Sequence, residues 1–279
     1  MKLFSNHLYI VSTPIGNLDD ITLRALEVLK KSDIILCEDT RQSLKLLNFY
    51  NIKKKMLSYH KFNEKKQISK ILEYFKEGKI LSLISDAGTP LLSDPGRLLV
   101  NECVQKEIKV IPVPGVSSIT AALSISGFSD KFLFYGFLPK SENELTKILT
   151  SLSNNDLTQI FFVPSKKINF YLKNFKKFYS DRKIVIAKEI TKLHEAFVRS
   201  DINKIEIFKS PIKGELTIVV SESNKKNKKF NEEKIVNKVK KYLKKYSLKD
   251  TVELILETEE INKKKVYDLC LKIKNEKNY

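Results

Sequence analysis

The sequence predicts an α/β protein: a parallel-sheet N-terminal domain, a second α/β domain with a mixed sheet, and a small helical C-terminal appendage. Three observations carry this. Between Leu8 and Val113 short apolar runs alternate with stretches of helical periodicity, the pattern of strand-helix-strand units whose crossovers make a sheet parallel. Between Lys131 and Ser221 the apolar runs are richer in aromatics and less evenly spaced, which favours mixed or antiparallel pairing. Beyond Ser221 the strand-like runs give way to charged amphipathic stretches. At 279 residues the chain can support two ordinary domains and an appendage. The boundaries are set at 1–115, 116–222 and 230–279.

Each element follows from a local pattern. LYIVS (Leu8 to Ser12) and DIILC (Asp33 to Cys37) are short apolar runs bounded by polar residues and read as strands, with a helix over Thr22 to Lys31 between them. A helix over Arg41 to Asn48, a short strand over Met56 to Tyr59 and an amphipathic helix over Glu64 to Glu77 follow. The strand Ile80 to Ile84, a helix from Pro95 to Lys106 and the strand Lys109 to Val113 complete the first domain. PVPGVSS (Pro112 to Ser118) marks the junction, after which ITAALSISG forms a helix ending near Gly127. In the second domain KFLFYGF, QIFFV, KIVIAKE, EAFVRS and ELTIVVS read as strands. Helices are expected over Glu142 to Ser151, Ser165 to Tyr179 and Asp201 to Phe208. SNKKNKKFNEEK is a charged linker, and helices over Glu232 to Lys245, Leu248 to Glu257 and Lys263 to Lys274 form the appendage. From Lys225 onward 17 lysines face nine acidic residues. That excess suits a nucleic-acid-binding module, and it suits equally a set of solvated helix faces.

The richest stretch runs from Lys79 to Val104, where ILSLIS breaks into SDAGTP and then SDPG. The loop lies at the carboxyl end of a strand, where open α/β sheets bind ligands. Gly88 permits close approach or positive φ, Pro90 stiffens the turn, and Asp86 supplies a carboxylate, a set that suits a ligand carrying cationic groups. Asp94 reads as an N-cap with Pro95 at the first helical position. CEDTR (Cys37 to Arg41) ends another strand, and Glu38, Asp39 and Arg41 converge on the same rim. They orient a substrate or anchor a phosphate through Arg41; equally, Asp39 or Thr40 caps a helix and Arg41 pairs with a carboxylate.

Composition narrows the classes. The formal charge of +18 points to polyanionic partners such as RNA or anionic membranes. Part of it reflects codon bias, because only Arg24, Arg41, Arg97, Arg182 and Arg199 are arginines while Lys, Asn and Ile abound. No apolar run approaches membrane-spanning length, and the first residues lack a signal-peptide pattern, so the expected compartment is the cytoplasm. Three scattered cysteines and three scattered histidines argue against a disulfide framework and against a metal site. There is no GxGxxG after the first strand, no GxxxxGK[ST] and no GxSxG. Dinucleotide-dependent, P-loop and serine-hydrolase chemistries are thereby disfavoured.

TPIGNLDDITLRALEVLKKSD, EDTR, SDAGTPLLSDPG, PGVSSITAAL, YGFLPK, AKEITKLHE and KGELTIVV together resemble the tetrapyrrole-methylase-like family of S-adenosylmethionine enzymes, over essentially the whole chain. Within it they resemble the branch that methylates a cytidine ribose of 16S ribosomal RNA at the 2'-oxygen. The resemblance implies a two-domain tetrapyrrole-methylase-like fold with S-adenosylmethionine between the domains, a homodimer, and the small ribosomal subunit or its 16S rRNA as partner. A tetrapyrrole methylase and a non-catalytic ribosome-binding relative are the alternatives. Position by position, the cofactor contacts implied are Pro14, Asp86, Ala87, Gly88, Ser117, Ser118, Ala187, Leu216 and Thr217. Candidates for a base or charge-stabilising group are Glu38 and Asp39, or Lys188 and Glu189. Arg41 and Lys140 are candidates for holding RNA. Where the family commonly carries FYESPHR this chain reads FFVPSKKI, so Val163 and Lys166 replace an acidic residue and a histidine, and Lys166 and Lys167 retain charge for phosphate contact.

Overall fold

A computed structural model describes residues 3–210, 212–223, 232–258 and 263–275. The chain divides into two compact units, Met1–Ser223 and Asn224–Tyr279.

The first unit holds two five-stranded sheets. Strands β1 (His7–Val11), β2 (Ile34–Cys37), β3 (Lys55–Ser58), β4 (Leu81–Ile84) and β5 (Lys109–Val113) pair in the order β3-β2-β4-β1-β5, all parallel. Helices α1 (Leu23–Lys31), α2 (Thr40–Phe49), α3 (Glu64–Lys76) and α4 (Arg97–Gln105) make the crossovers. Both faces are covered, and the side-chain alternation of a strand shows how. Leu8, Ile34, Leu36, Leu81 and Leu83 point to one face, against Ile71 and Phe75 of α3 and Leu99 and Cys103 of α4. Tyr9, Ile35, Cys37 and Ile84 point to the other, against Ala25, Val28 and Leu29 of α1 and Leu47 of α2. The chain thus changes face after β3, and β1 and β4 lie side by side in the middle of the sheet with their carboxyl ends together.

In the second sheet β6 (Phe132–Phe137), β7 (Thr158–Pro164), β8 (Lys183–Lys188), β9 (Ala196–Asp201) and β10 (Glu215–Val220) pair in the order β6-β7-β10-β8-β9. Only β6 and β7 are parallel, joined through α6 (Glu142–Ser153); the remaining pairs are antiparallel. One face packs on α6 and α7 (Ile168–Phe178), the other on α5 (Ser118–Ser124), the helix that leads out of the first sheet.

The helix expected over Ser165 to Tyr179 opens as a 3-10 turn, Ser165–Lys167, before α7, and two other expected helices differ. The helix after SDPG begins at Arg97 rather than Pro95, with Gly96 as its N-cap at φ 130°. That conformation lies outside the helical region and is open to glycine alone, because a Cβ there would stand 2.8 Å from Leu83 Cδ2. Asp94 is therefore not an N-cap. The helix expected over Asp201 to Phe208 is one turn: the N–H groups of Lys204 and Ile205 both donate to the Asp201 carbonyl, and the chain then runs irregularly. The three-residue spacing of Ile202 and Ile205 buries both in the core of the second sheet, which needs a turn and not a helix.

The second unit contains α8 (Glu232–Tyr242), α9 (Leu248–Thr258) and α10 (Lys263–Asn275), packed around Ile235, Val239, Val252, Ile255, Val266, Cys270 and Ile273. Residues 224–231 of the charged linker lie outside the described residues. Among the described residues no helix is long and apolar enough to cross a membrane.

Candidate functional site

Three loops at the carboxyl edge of the first sheet are tied to one another. After β1, Thr13 forms a two-way bridge with Gly88: the Thr13 N–H donates to the Gly88 carbonyl at 2.9 Å and the Gly88 N–H to the Thr13 carbonyl at 3.0 Å. The Ser12 and Thr89 hydroxyls share a hydrogen bond at 3.0 Å, and Thr89 Oγ1 donates to the Val116 carbonyl at 3.0 Å. Loops following β1, β4 and β5 are thus one braced assembly. Gly88 has φ 78°, and a Cβ on it would lie 3.1 Å from Ile15 Cγ2. Leu91 and Ser93 also hold positive φ, 72° and 75°, a backbone cost concentrated in a single loop.

This assembly walls one side of a cavity of about 440 Å³; the ends of β6, β7, β8 and β10 wall the other. The size is that of a small-molecule site. Ile15, Ile119, Phe137, Phe162, Ile190 and Leu216 give it apolar surface, and Glu38, Asp86 and Asp94 give it three carboxylates. Among the described residues no lysine or arginine pairs with any of the three. An unpaired acidic corner inside a chain of net charge +18 is a specific feature, and its physical complement is a compact cation.

The carboxyls feel both burial and one another. Burial, then the charges of Glu38 and Asp86, push Asp94 up to about 6 against the opposing hydrogen bond of the Ser85 hydroxyl. Burial raises Glu38 as well, with Asp86 and Asp39 adding to it and His60 opposing. Asp86 is raised by burial, partly offset by the Asp39 N–H that it accepts at 3.2 Å. Asp94 has a consequence for stability. Between its ordinary 3.8 and about 6, the folded protein keeps a proton that the unfolded chain has released, so stability falls as pH rises through that window and the cost is complete above it. Asp94→Asn is expected to stabilise the protein at pH 7 by about 2 kcal/mol, after discounting for partial solvent access, and by almost nothing near pH 3. Urea denaturation at the two pH values checks this; equal stability of the two proteins at pH 7 would contradict it.

The structure brings most of the expected cofactor contacts together. Asp86, Ala87, Gly88, Ser117, Ser118, Ala187, Leu216 and Thr217 all line the cavity, and Pro14 is buried beside Ile15. Of the catalytic candidates only Glu38 lines it. Asp39 is the N-cap of α2: its Oδ1 accepts from the Arg41 N–H at 2.9 Å and from Arg41 Nε, and its Oδ2 accepts from Nη2 at 2.7 Å. That bidentate contact holds the Asp39 carboxyl down at about 2. Glu189, at φ 50°, accepts the Glu215 N–H at 2.8 Å and a Lys192 Nζ bond at 3.1 Å, and it fills the space beside Gly214. It clamps β10 to the loop after β8. Lys188 does not line the cavity. Lys140, Lys166 and Lys167 group beyond the ends of β6 and β7, where Lys167 Nζ donates to the Lys140 carbonyl at 3.5 Å. Val163 is buried in the second sheet while touching the cavity wall.

Asp94 belongs to this site although its sequence pattern pointed to a helix cap. The signal for it was the repeat of Ser-Asp before glycine in SDAG and SDPG, which sets two acidic loops in tandem at one strand end.

Residues 7–206 match the family described as Tetrapyrrole (Corrin/Porphyrin) Methylases. A Thermotoga maritima protein called "Ribosomal RNA small subunit methyltransferase I" is 46% identical over 218 residues, which covers 77% of this chain and 97% of that protein. A Buchnera aphidicola protein of the same name is 38% identical over 271 residues, or 95% of this chain and 96% of that one. Among solved structures, a cobalt precorrin-4 methyltransferase superposes with a TM-score of 0.56 at 19% identity, over 77% of this chain and 95% of the other; that likeness speaks to fold alone.

Proposed function

The chain belongs to the tetrapyrrole (corrin/porphyrin) methylase family, and on that footing we propose that it methylates the ribose 2'-oxygen of a cytidine in 16S ribosomal RNA. It is a methyltransferase that takes its methyl group from S-adenosylmethionine. The observation that carries the reading is the acidic corner of the cavity, Glu38, Asp86 and Asp94 without a basic partner among the described residues, set in a strongly basic chain. A basic surface attracts the polyanion; an acidic pocket does not receive a phosphate and does receive a cation.

The residues fit S-adenosylmethionine by chemistry and by space. Its sulfonium and ammonium groups match the carboxylates, its apolar parts match Ile15, Phe162 and Leu216, and Gly88 puts bare backbone on the cavity wall where a Cβ would press on Ile15. When bound, this group supplies a methyl on positively charged sulfur, a strong electrophile. The chain then makes two contributions. One is to hold the acceptor hydroxyl in line, the largest effect that positioning has on a displacement. The other is to receive the hydroxyl's proton. That proton goes to Glu38, which faces the cavity, carries no ion pair among the described residues, and is raised above its ordinary value by burial. Lys140, Lys166 and Lys167 are assigned to the RNA backbone, with residues 1–115 and 116–222 as the two lobes of the enzyme and 230–279 as an added RNA contact. The enzyme works in the cytoplasm as a homodimer.

Incubation of the purified protein with tritiated S-adenosylmethionine and small ribosomal subunits lacking the modification tests the reading. Label in 16S rRNA, absent with large subunits, is the expected result; label in neither subunit despite saturable cofactor binding would overturn the choice of substrate.

A further inference from the structure

Beside the main cavity lies a second, shallower hollow of about 450 Å³, and Glu38 and Asp86 line both. Its outer side is formed by the turn after β3. Phe62 at the tip of that turn is 91% exposed, a large apolar ring with no core to fill. The turn that presents it is rigidly built. Asn63 Oδ1 accepts the His60 N–H at 2.8 Å, Asn63 Nδ2 donates to the Ser58 carbonyl at 3.0 Å, and the N–H groups of Asn63 and Glu64 both reach the His60 carbonyl. The Phe62 N–H donates to His60 Nδ1 at 3.2 Å, and the two rings meet edge to face with centroids 6.1 Å apart. A fixed aromatic face costs little ordering entropy when something stacks on it.

We propose that this hollow seats the acceptor nucleotide, with its base stacked on Phe62, its ribose toward Glu38, and its phosphates outward near Lys61 and Arg41. The proposal rests on the reading of the protein as an RNA ribose methyltransferase and deepens it. The distribution of charge sets the orientation. The floor shared with the main cavity is acidic and repels phosphate, yet it accepts hydrogen bonds from neutral donors such as ribose hydroxyls and the cytosine amino group. The outer rim carries Lys61 and Arg41, and Arg41, whose Nε and Nη2 are taken by Asp39, is 87% exposed and keeps Nη1 for a phosphate. An unpaired base stacks on an aromatic side chain without sequence preference.

The test compares Phe62→Ala and Phe62→Trp with the wild type, since a side chain this exposed is replaced without harm to the fold. Three quantities are measured: S-adenosylmethionine affinity by calorimetry, and KM and kcat on small subunits lacking the modification. Phe62→Ala is expected to raise KM at least tenfold, with kcat within threefold and cofactor affinity unchanged, and Phe62→Trp to restore KM. A KM for Phe62→Ala within twofold of wild type would overturn the proposal. If the wild type methylates no small subunit, the substrate reading has failed and the hollow is judged by fluorescence titration with a single-stranded cytidine hexanucleotide. Tenfold weaker binding by Phe62→Ala then supports it, whereas equal binding, or no binding by the wild type, overturns it.

Discussion

Gly88→Val is expected to abolish S-adenosylmethionine binding, with at least a hundredfold loss of affinity and no detectable methyl transfer. Two penalties meet at this position. A β-branched residue at φ 78° costs about 1–3 kcal/mol of backbone strain. Its Cβ also presses on Ile15 at 3.1 Å, in the braced loops that wall the cavity. Gly78 separates the two effects. It has nearly the same φ, 73°, at the end of α3, and its Cβ would meet nothing within 4 Å. Gly78→Val is therefore expected to lose comparable stability and keep full cofactor affinity. Calorimetric titration of both variants, with melting curves alongside, decides the matter; similar affinities in the two would remove the cofactor from this cavity.

Glu38→Gln is expected to lower kcat, measured at saturating S-adenosylmethionine, by 10²-fold or more, a loss separate from any weakening of cofactor binding that follows from removing one of the cavity's three carboxylates. The amide keeps the shape and hydrogen-bonding reach of the carboxyl and cannot take a proton, and a positioned base contributes about 10²–10⁴ in rate. The pH profile gives a second signature. Glu38 must be ionised to act, and burial with its acidic neighbours raises it above the ordinary 4.5. Wild-type kcat therefore climbs with pH through that raised value and levels off above it, and the variant loses the climb. A variant that retains both rate and profile would leave Glu38 as a wall of the cavity and nothing more. Asp39→Asn, by contrast, is expected to act on the α2 cap and on Arg41, because its carboxylate is already committed to both.

The strands of both sheets were legible in the sequence because most are compact apolar runs, with β3 and β9 the more polar exceptions, and parallel order followed from the alternation of runs with helical stretches. The cofactor loops were legible for a related reason: Gly and Pro stand at the ends of β1, β4 and β5, where a backbone must turn sharply. What could not be read depends on distant parts of the chain. Asp94 followed by Pro95 satisfies the local rule for a helix start, yet Gly96 takes φ 130° and the helix waits until Arg97. The same loop also meets the second sheet, where Gly136 in the bulge of β6 comes so close to Ser93 that a Cβ would stand 3.0 Å from its hydroxyl. No pattern within SDPG records that approach. Glu189 and Glu38 were equal candidates on the same footing, a carboxylate just past a strand end. Only the fold separates them, by turning Glu189 onto Lys192 and the Glu215 amide and Glu38 into the cavity. Asp201 to Phe208 failed in the opposite way, since two isoleucines at helical spacing are satisfied by a single buried turn.

The most direct measurement is mass spectrometry of nucleosides from small-subunit RNA after single turnovers with methyl-labelled S-adenosylmethionine, run on the wild type and on Glu38→Gln. The expected result is a single labelled nucleoside, cytidine methylated on its ribose, formed by the wild type and at least a hundredfold more slowly by the variant. Label on a base, or equal rates in the two proteins, would contradict the assignment of this cavity to ribose methylation with Glu38 as its base.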